Sequence, residues 1–79
     1  MEVEIYSKTN CVFCEKAKMR LQQHKPKIYM LDQDYNKEVF FKKFPNAKTF
    51  PQIIINNKNI GGYHDLEKWL AFNMADEDF

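Results

Sequence analysis

The sequence predicts an α/β fold in which a small mixed four-stranded sheet carries three helices on its faces. Three observations predict it. Apolar and charged residues alternate near the N-terminus, apolar residues then recur at helical spacing, and a β-branched run lies in the second half. The resulting order is strand, helix, strand, helix, strand, strand, helix, which joins a βαβ half to a ββα half. With 79 residues, we expect a single domain spanning 1–79.

The first strand is predicted over Glu2–Tyr6, where Val3 and Ile5 fall on one face. The polar residues 7–10 then break the strand and form a short loop. Thr9 and Asn10 are candidate N-caps of the next helix, because their side chains can accept hydrogen bonds from the free amides of a first turn.

The first helix is predicted to begin near Cys11 or Val12 and to end by His24 or Lys25, because Pro26 cannot continue it. Residues at spacing i, i+3, i+4 and i+7 form one stripe along the helix. The stripe is apolar apart from its lysine and consists of Cys14, Ala17, Lys18 and Leu21.

The middle of the chain predicts a second strand over Lys27–Leu31, a polar break at 32–36 and a short helix over Lys37–Phe44. Several aromatic residues fall on this helix and on the last one. Because these helices face a small sheet, we expect most of the aromatic residues to lie in the core: Phe40, Phe41, Phe44, Trp69 and Phe72.

The ββα half begins with the β-branched strand Gln52–Ile55, which is expected to be buried on both faces. Asn56 and Asn57 predict a tight hairpin turn, since asparagine tolerates positive φ. The second hairpin strand ends at Gly61-Gly62. A last helix is predicted over His64–Met74, followed by an acidic, frayed tail over 76–79; its inner face carries Leu66, Trp69 and Leu70.

Composition excludes several classes of protein. The hydrophobic content of 44% is enough for one compact core, and a net charge of +1 argues against a nucleic-acid-binding protein. There is no signal-peptide pattern and no apolar run of the roughly 18 residues that a membrane span needs. We therefore expect a soluble protein of the cytoplasm. Two cysteines cannot supply the disulfide framework of a small secreted fold.

The motif that carries chemistry is Cys11-Val12-Phe13-Cys14, at the start of the first helix. Thiol–disulfide exchange needs a thiolate and a second thiol close enough to resolve a mixed disulfide. The free amides of the helix start stabilise an anion at Cys11, and such thiols reach pKa values of roughly 3.5–7.5. Lys8 and Lys16 add positive potential. We assign Cys11 as nucleophile and the less exposed Cys14 as resolving thiol.

Three other interpretations of the cysteine pair remain open. In the first, the pair is half of a zinc site, for which His24 and His64 are the available imidazole ligands although they are poorly spaced. In the second, it is an inert buried pair. In the third, it is a structural disulfide, which would stabilise little because the loop that it closes is so short.

The chain resembles the glutaredoxin family over nearly its whole length. Three segments carry the resemblance, by their order and spacing. The first is Lys8-Thr9-Asn10-Cys11-Val12-Phe13-Cys14 followed by Glu15-Lys16-Ala17-Lys18, which resembles the family's active-site loop and helix. The second is Thr49-Phe50-Pro51-Gln52-Ile53, which is similar to its Thr-Val-Pro segment. The third is Gly61-Gly62-Tyr63-His64-Asp65-Leu66, which is similar to its Gly-Gly-x-x-Asp-Leu segment.

The resemblance implies a thioredoxin-like fold and glutathione-dependent reduction of disulfides and glutathionylated proteins. Pro51 corresponds to the family's cis-proline, which turns the backbone of Phe50 toward the sulfurs so that it pairs with glutathione like an added strand. The alternative is an ordinary strand-initiating proline.

The same resemblance implies how the two ends of glutathione are held. The γ-glutamyl end is expected at the amides of Tyr63 and His64, with Asp65 on its α-amino group, and the glycine carboxylate at Lys8. The alternatives are a helix cap for Asp65 and a solvated lysine. The full predicted glutathione site is Lys8, Phe13, Thr49, Phe50, Pro51, Gly62, Tyr63, His64 and Asp65, with no metal.

The chain departs from the family's common Cys-Pro-Tyr-Cys motif. Val12 keeps an N–H that proline lacks, and Phe13 keeps an aromatic ring but loses the hydroxyl. Phe50 replaces a valine, in what is expected to be a backbone role. His64 is unusual at its position. One hypothesis is that it adds positive charge near the site below about pH 6.5, and the alternative is an exposed helix-start residue with no role in the site.

The leading prediction is a dithiol glutaredoxin that takes electrons from glutathione and acts as a monomer on disulfide or glutathionylated proteins, of which ribonucleotide reductase is one candidate. Two alternatives keep the fold. In one, thioredoxin reductase supplies the electrons. In the other, the protein is a non-catalytic carrier of an iron–sulfur cluster.

Overall fold

The computed structural model describes residues 1–73 and has the predicted order of elements. Within these residues, none of the helices is long and apolar enough to cross a membrane. The predicted helix end at Met74 and the acidic tail over 76–79 lie outside the described residues. The elements are β1 Val3–Ser7, α1 Val12–Leu21, β2 Lys27–Met30, α2 Lys37–Lys43, β3 Gln52–Ile55, β4 Lys58–Gly61 and α3 Tyr63–Asn73, with a 3₁₀ turn over Gln22–His24.

The four strands form one mixed sheet in the order β2-β1-β3-β4. β1 runs parallel to β2 and antiparallel to β3, so that Ile5 lies beside both Ile28 and Ile53. β3 and β4 form the predicted hairpin, whose turn residues Asn56 and Asn57 both have positive φ, at 51° and 67°. All of β3 is buried, as its β-branched run predicted.

One face of the sheet packs against α1 and α3 through small and aliphatic side chains. The predicted stripe of α1 is confirmed, since its apolar members are fully buried. Trp69 and Leu70 of α3 pack against the edge of this layer, also as predicted. We call this layer the aliphatic core; its buried members are Val3, Ile5, Ala17, Leu21, Ile53, Ile55 and Leu66.

The other face of the sheet packs against α2 and the loops beside it through aromatic rings. Tyr6 lies at the centre, with its ring centroid 4.9–5.2 Å from those of Tyr29, Tyr35 and Phe44. Phe50 and three other side chains pack at the edge. We call this layer the aromatic cluster; its buried members are Tyr6, Tyr35, Phe40, Phe44 and Ile54.

Most of the five aromatic residues expected in the core lie there, since Phe40 and Phe44 are buried and Trp69 packs against the aliphatic core, but other side chains differ from the expectation. Phe41 is 50% exposed and Phe72 is 87% exposed, because each lies on the outward face of its helix. Tyr35 was assigned to a polar break, yet it is buried and its hydroxyl donates a hydrogen bond of 2.6 Å to the carbonyl oxygen of Ser7. That contact joins the loop after β2 to the end of β1, directly before the Cys-x-x-Cys segment.

Candidate active site

The two cysteines lie at the start of α1 and form a disulfide, with their Cα atoms 5.2 Å apart. Cys11 immediately precedes the helix and is partly exposed, whereas Cys14 is in the first turn and is fully buried. The predicted difference in exposure is confirmed. A reagent approaching from solvent therefore meets the sulfur of Cys11 first.

The N-cap of α1 differs from the prediction. Neither Thr9 nor Asn10 caps the helix; the cap is Cys11 itself, whose Sγ accepts a hydrogen bond of 3.2 Å from the backbone N–H of Cys14. The reason is the φ of 54° at Asn10, which turns the chain into the helix one residue later. A helix amide that points at Sγ stabilises the thiolate in the reduced protein, which lowers the free-energy cost of ionising Cys11.

The loop before β3 brings the backbone of Phe50 beside the disulfide. The Phe50–Pro51 peptide bond is cis, as the resemblance implied. The carbonyl oxygen of Phe50 lies 3.8 Å from the Sγ of Cys11. Among residues 1–73, the N–H and C=O of Phe50 form no backbone hydrogen bond, so both are available to a ligand that lies alongside.

The ring of Phe50 is held on both sides. It stacks on the buried ring of Phe40, with a centroid separation of 4.5 Å and an interplanar angle of 20°. The Nζ of Lys8 lies 5.3 Å from the centre of the Phe50 ring. Phe40 is a site residue that the sequence did not reveal, because its contact with Phe50 depends on how α2 packs against the sheet. Through this stack, the aromatic cluster fixes the segment next to the disulfide.

The start of α3 forms a corner with the same loop. The carboxylate Oδ2 of Asp65 accepts a hydrogen bond of 3.0 Å from the N–H of Gly62, and so caps the helix. A Cβ on Gly62 would lie 3.1 Å from the Oγ1 of Thr49, and a Cβ on Gly61, whose φ is +116°, would lie 2.5 Å from the Asp65 carboxylate. The positive φ requires glycine at position 61, whereas a side chain at position 62 would require Thr49 to shift slightly.

A cavity of about 390 Å³ opens at this corner. Thr49, Gly62 and Asp65 line it, together with residues 44–48, Gln52 and residues 59–61. Neither cysteine lines the cavity. Three of the predicted glutathione-binding residues therefore share one hollow, which lies to one side of the disulfide.

Phe13 lies on the other side of the corner. Its ring is 42% exposed, and its centroid lies 5.5 Å from those of Tyr63 and His64. The Nδ1 of His64 lies 3.4 Å from the Oε1 of Glu67, one turn further along α3. The structure thus places Phe13, Tyr63 and His64 together at the adjacent ends of α1 and α3.

Metal-ligating side chains do not converge in the part of the chain that the structure describes. Across residues 1–73, no three or more of the histidine, cysteine, aspartate and glutamate side chains form a group that could hold a metal ion. The described residues thus provide no set of zinc ligands around Cys11 and Cys14.

Comparison with known proteins identifies the family. The family model described as Glutaredoxin matches residues 3–60, which contain the cysteine pair, the cis-proline and three of the strands. The chain belongs to the glutaredoxin family. Glutaredoxins are thiol–disulfide oxidoreductases, and the Cys11–Cys14 pair is the redox-capable pair of this one.

Curated relatives agree with this assignment. Glutaredoxin 1 of Rickettsia prowazekii is 36% identical over 78 residues, a match that covers 92% of this chain and 76% of the relative. Glutaredoxin 1 of Rickettsia bellii is 40% identical over 68 residues and covers 78% and 69%.

Solved structures show that the fold is the thioredoxin-like fold of glutaredoxins. Reduced Escherichia coli glutaredoxin superposes with a TM-score of 0.77 at 25% identity, covering 95% of this chain and 99% of the other. Oxidised glutaredoxin 2 of Chlamydomonas reinhardtii has a TM-score of 0.71 at 29% identity, covering 98% and 77%. The buckwheat glutaredoxin–glutathione complex matches with a TM-score of 0.73 at 24% identity, covering 94% and 73%.

Proposed function

We propose that this glutaredoxin reduces glutathione mixed disulfides and protein disulfides with electrons from glutathione. The observation that carries the proposal is the backbone of Phe50, which forms no backbone hydrogen bond among residues 1–73 and whose carbonyl oxygen lies 3.8 Å from the Sγ of Cys11. An extended peptide joined to Cys11 through its own cysteine can pair with that backbone as an added strand. Glutathione is such a peptide.

The reaction with a glutathionylated protein starts at Cys11. Its thiolate attacks the glutathione sulfur, so that a Cys11–glutathione disulfide forms while the bond to the protein sulfur breaks and the protein leaves as a thiolate. A second glutathione thiolate then attacks the bound glutathione sulfur. Oxidised glutathione leaves, and Cys11 is released as a thiolate that the amide of Cys14 stabilises.

A protein disulfide needs the second cysteine. Attack by Cys11 gives a mixed disulfide with the protein and one free protein thiolate. Cys14, held one turn away with its Cα 5.2 Å from that of Cys11, then attacks the Sγ of Cys11 and releases the second protein thiolate. That step forms a Cys11–Cys14 disulfide, which two glutathione molecules then reduce.

The groups around the cysteines suit the two ends of glutathione. The first amides of α3, at Tyr63 and His64, have no acceptor within the helix and favour the γ-glutamyl carboxylate. One carboxylate oxygen of Asp65 accepts a hydrogen bond from the Gly62 N–H, and the other oxygen is available to accept one from an α-amino group. Lys8, which lies over the Phe50 ring, has the charge to pair with the glycine carboxylate.

The other predicted glutathione-binding residues form the walls of the proposed site. They are Phe13, Thr49, Pro51 and Gly62. The wider parts of the proposal rest on the sequence: one domain over residues 1–79 follows from the chain length, a cytoplasmic location from the composition and the cysteine usage, and ribonucleotide reductase as a substrate of a monomeric protein from the family resemblance. A structural relative from buckwheat is described as a complex with glutathione.

The proposal is tested by steady-state reduction of a small glutathione mixed disulfide, coupled to glutathione reductase and NADPH. We expect the wild-type protein and Cys14→Ser to turn over and Cys11→Ser to be inactive, because only Cys11 attacks the mixed disulfide. Reduction of a protein disulfide should need both cysteines. The coupling enzymes alone provide the blank.

Two results would overturn this function. Loss of mixed-disulfide turnover in Cys14→Ser would contradict the division of roles between the cysteines. A wild-type protein that glutathione does not reduce but thioredoxin reductase does would remove glutathione from the site.

A further inference from the structure

A surface beside the cysteine pair extends between α1 and α3, past the residues that hold glutathione in the proposed reaction, and shares only Phe13 and Tyr63 with them. A shallow hollow of about 420 Å³ lies there between α1 and α3, lined by Lys16, Met19, Arg20 and Tyr63. Met19 is 70% exposed, although methionine is more often buried. Phe13 extends the surface toward the disulfide through its contact with Tyr63. We call these five residues the α1–α3 patch.

The patch carries positive charge. Within residues 1–73, neither Lys16 nor Arg20 forms an ion pair, since Glu15 pairs with Lys18 and Glu67 faces His64. The Nζ of Lys16 instead lies 5.3 Å from the centre of the Phe13 ring. The patch therefore presents two cations around an apolar centre, and the complementary surface is acidic with an apolar side chain.

The distance between the Sγ of Cys11 and the patch determines which residues of a bound substrate can contact the patch. Met19 and Arg20 follow Cys11 by eight and nine residues, so they lie about 12–14 Å further along the helix axis at a rise of 1.5 Å per residue. An extended peptide covers about 3.3 Å per residue. A chain whose cysteine is at Cys11 therefore reaches the patch about four residues away from that cysteine.

We propose that the α1–α3 patch is a docking surface for protein substrates that carry acidic residues and one apolar side chain about three to five positions from the reacting cysteine. The inference rests on the proposed disulfide reductase function, since it names the substrate class of that same site. Glutathione lies along Phe50, Thr49 and Asp65 up to the start of α3, and the segment of the protein substrate runs from Cys11 along α1 toward Met19 and Arg20.

The experiment compares two peptides, each glutathionylated on one cysteine. Both have a leucine four residues from the cysteine; one flanks it with glutamates and the other with lysines. Turnover is measured for wild-type protein, Arg20→Glu, Met19→Ser and Lys37→Glu. Lys37 is an exposed residue at the start of α2, so its reversal makes the same change in net charge as Arg20→Glu, away from the patch.

We expect wild-type protein to prefer the acidic peptide, and Arg20→Glu to lower its kcat/KM about fivefold, mainly through KM. Met19→Ser should lower kcat/KM about threefold for both peptides, because both carry the leucine. Lys37→Glu should leave the preference unchanged, and all variants should reduce a small glutathione mixed disulfide like wild type. The preference should shrink at an ionic strength of about 1 M, where the Debye length is about 3 Å.

A second measurement separates docking from chemistry. An analogue of the acidic peptide with serine in place of cysteine is titrated into wild-type protein, and backbone amide shifts are followed by NMR. Shifts at Lys16, Met19, Arg20 and Tyr63 that are absent with the lysine peptide support the patch, even if glutathione-dependent turnover fails and the proposed function falls. Equal kcat/KM for the two peptides in wild type, or amide shifts that avoid the patch, would overturn the inference.

Discussion

The two faces of the sheet hold the active site in different ways. The aliphatic core packs under α1 and buries Cys14 together with Ala17 and Leu21. The aromatic cluster packs on the opposite face and reaches the segment beside the disulfide through the stack of Phe40 on Phe50. One face therefore positions the cysteine pair, and the other positions the backbone that we propose pairs with glutathione.

This difference teaches that stability and substrate binding are separable in so small a fold. Close-packed aliphatic side chains supply burial, whose loss destabilises the fold without moving Phe50. Stacked rings fix the position of the Phe50 backbone at the edge of the cluster. A shift of that backbone should weaken glutathione binding more than it destabilises the fold. Substitutions on the two faces should therefore have different signatures.

The largest effect on stability is expected from Leu21→Ala. Leu21 is fully buried in the aliphatic core, so its truncation should lower the free energy of unfolding by about 3 kcal/mol through lost burial and a cavity. The kcat and KM of the folded enzyme should stay near wild type. Urea titration of the reduced protein and steady-state kinetics measure the two quantities.

Met19→Ala is the matched control, because Met19 lies on the same helix but is 70% exposed. Its free energy of unfolding should change by less than about 0.5 kcal/mol. A similar loss of stability in both variants would show that the aliphatic core does not carry the stability of α1.

A smaller effect on stability and a larger effect on binding are expected from Phe40→Leu. Loss of the ring removes the stack under Phe50, so we expect a stability loss of about 1–2 kcal/mol. KM for a glutathione mixed disulfide should rise about fivefold with little change in kcat, because the Phe50 backbone is no longer fixed.

Phe41→Leu provides the comparison for this variant. Phe41 is the neighbouring ring, with its centroid 5.3 Å from that of Phe40, but it is 50% exposed and lies outside the stack on Phe50. Its KM should remain at the wild-type value. An unchanged KM in Phe40→Leu, measured where the variant is folded, would separate the aromatic cluster from the site.

Features set by local sequence were predictable, and features set by packing were not. The stripe of α1 and the hairpin at Asn56-Asn57 depend on spacing and on the φ values that asparagine tolerates, and both were predicted. The cap at Cys11 was missed because it depends on the positive φ of Asn10. The site residues also came from local segments: the cysteine motif, the proline segment and the glycine segment.

The aromatic contacts were missed for a different reason. Tyr35 lies in a polar segment and is buried only because it meets Ser7, which is 28 residues away in sequence. Phe40 touches Phe50 only once α2 has packed on the sheet. No periodicity distinguishes these aromatic residues from Phe41, which is exposed.

The smallest effect on the free energy of unfolding is expected from Tyr35→Phe, which tests how much the aromatic cluster stabilises the end of β1. Losing the hydrogen bond to the Ser7 carbonyl should lower the free energy of unfolding by about 1 kcal/mol at neutral pH. The pKa of the Tyr35 hydroxyl is raised by burial first, then by the nearby Tyr6, Asp32 and Asp34.

The raised pKa sets the sign of the pH dependence. The folded protein favours the neutral phenol, so this contribution to stability is present below the ordinary tyrosine pKa of about 10 and is lost as the pH rises above it. Wild-type protein should therefore lose stability above about pH 10 more steeply than Tyr35→Phe. Urea titrations between neutral pH and pH 11 measure the two slopes, and parallel slopes would contradict the assignment to Tyr35.

The central claim, that Cys11 is the nucleophile that receives glutathione beside Phe50, is tested most directly by mass spectrometry. Reduced Cys14→Ser and Cys11→Ser are each treated with oxidised glutathione at neutral pH, quenched by acid and digested. We expect one glutathione adduct, on the peptide that contains Cys11, in Cys14→Ser and little adduct in Cys11→Ser. Faster modification of Cys14 in Cys11→Ser, or no adduct on Cys11, would contradict the claim.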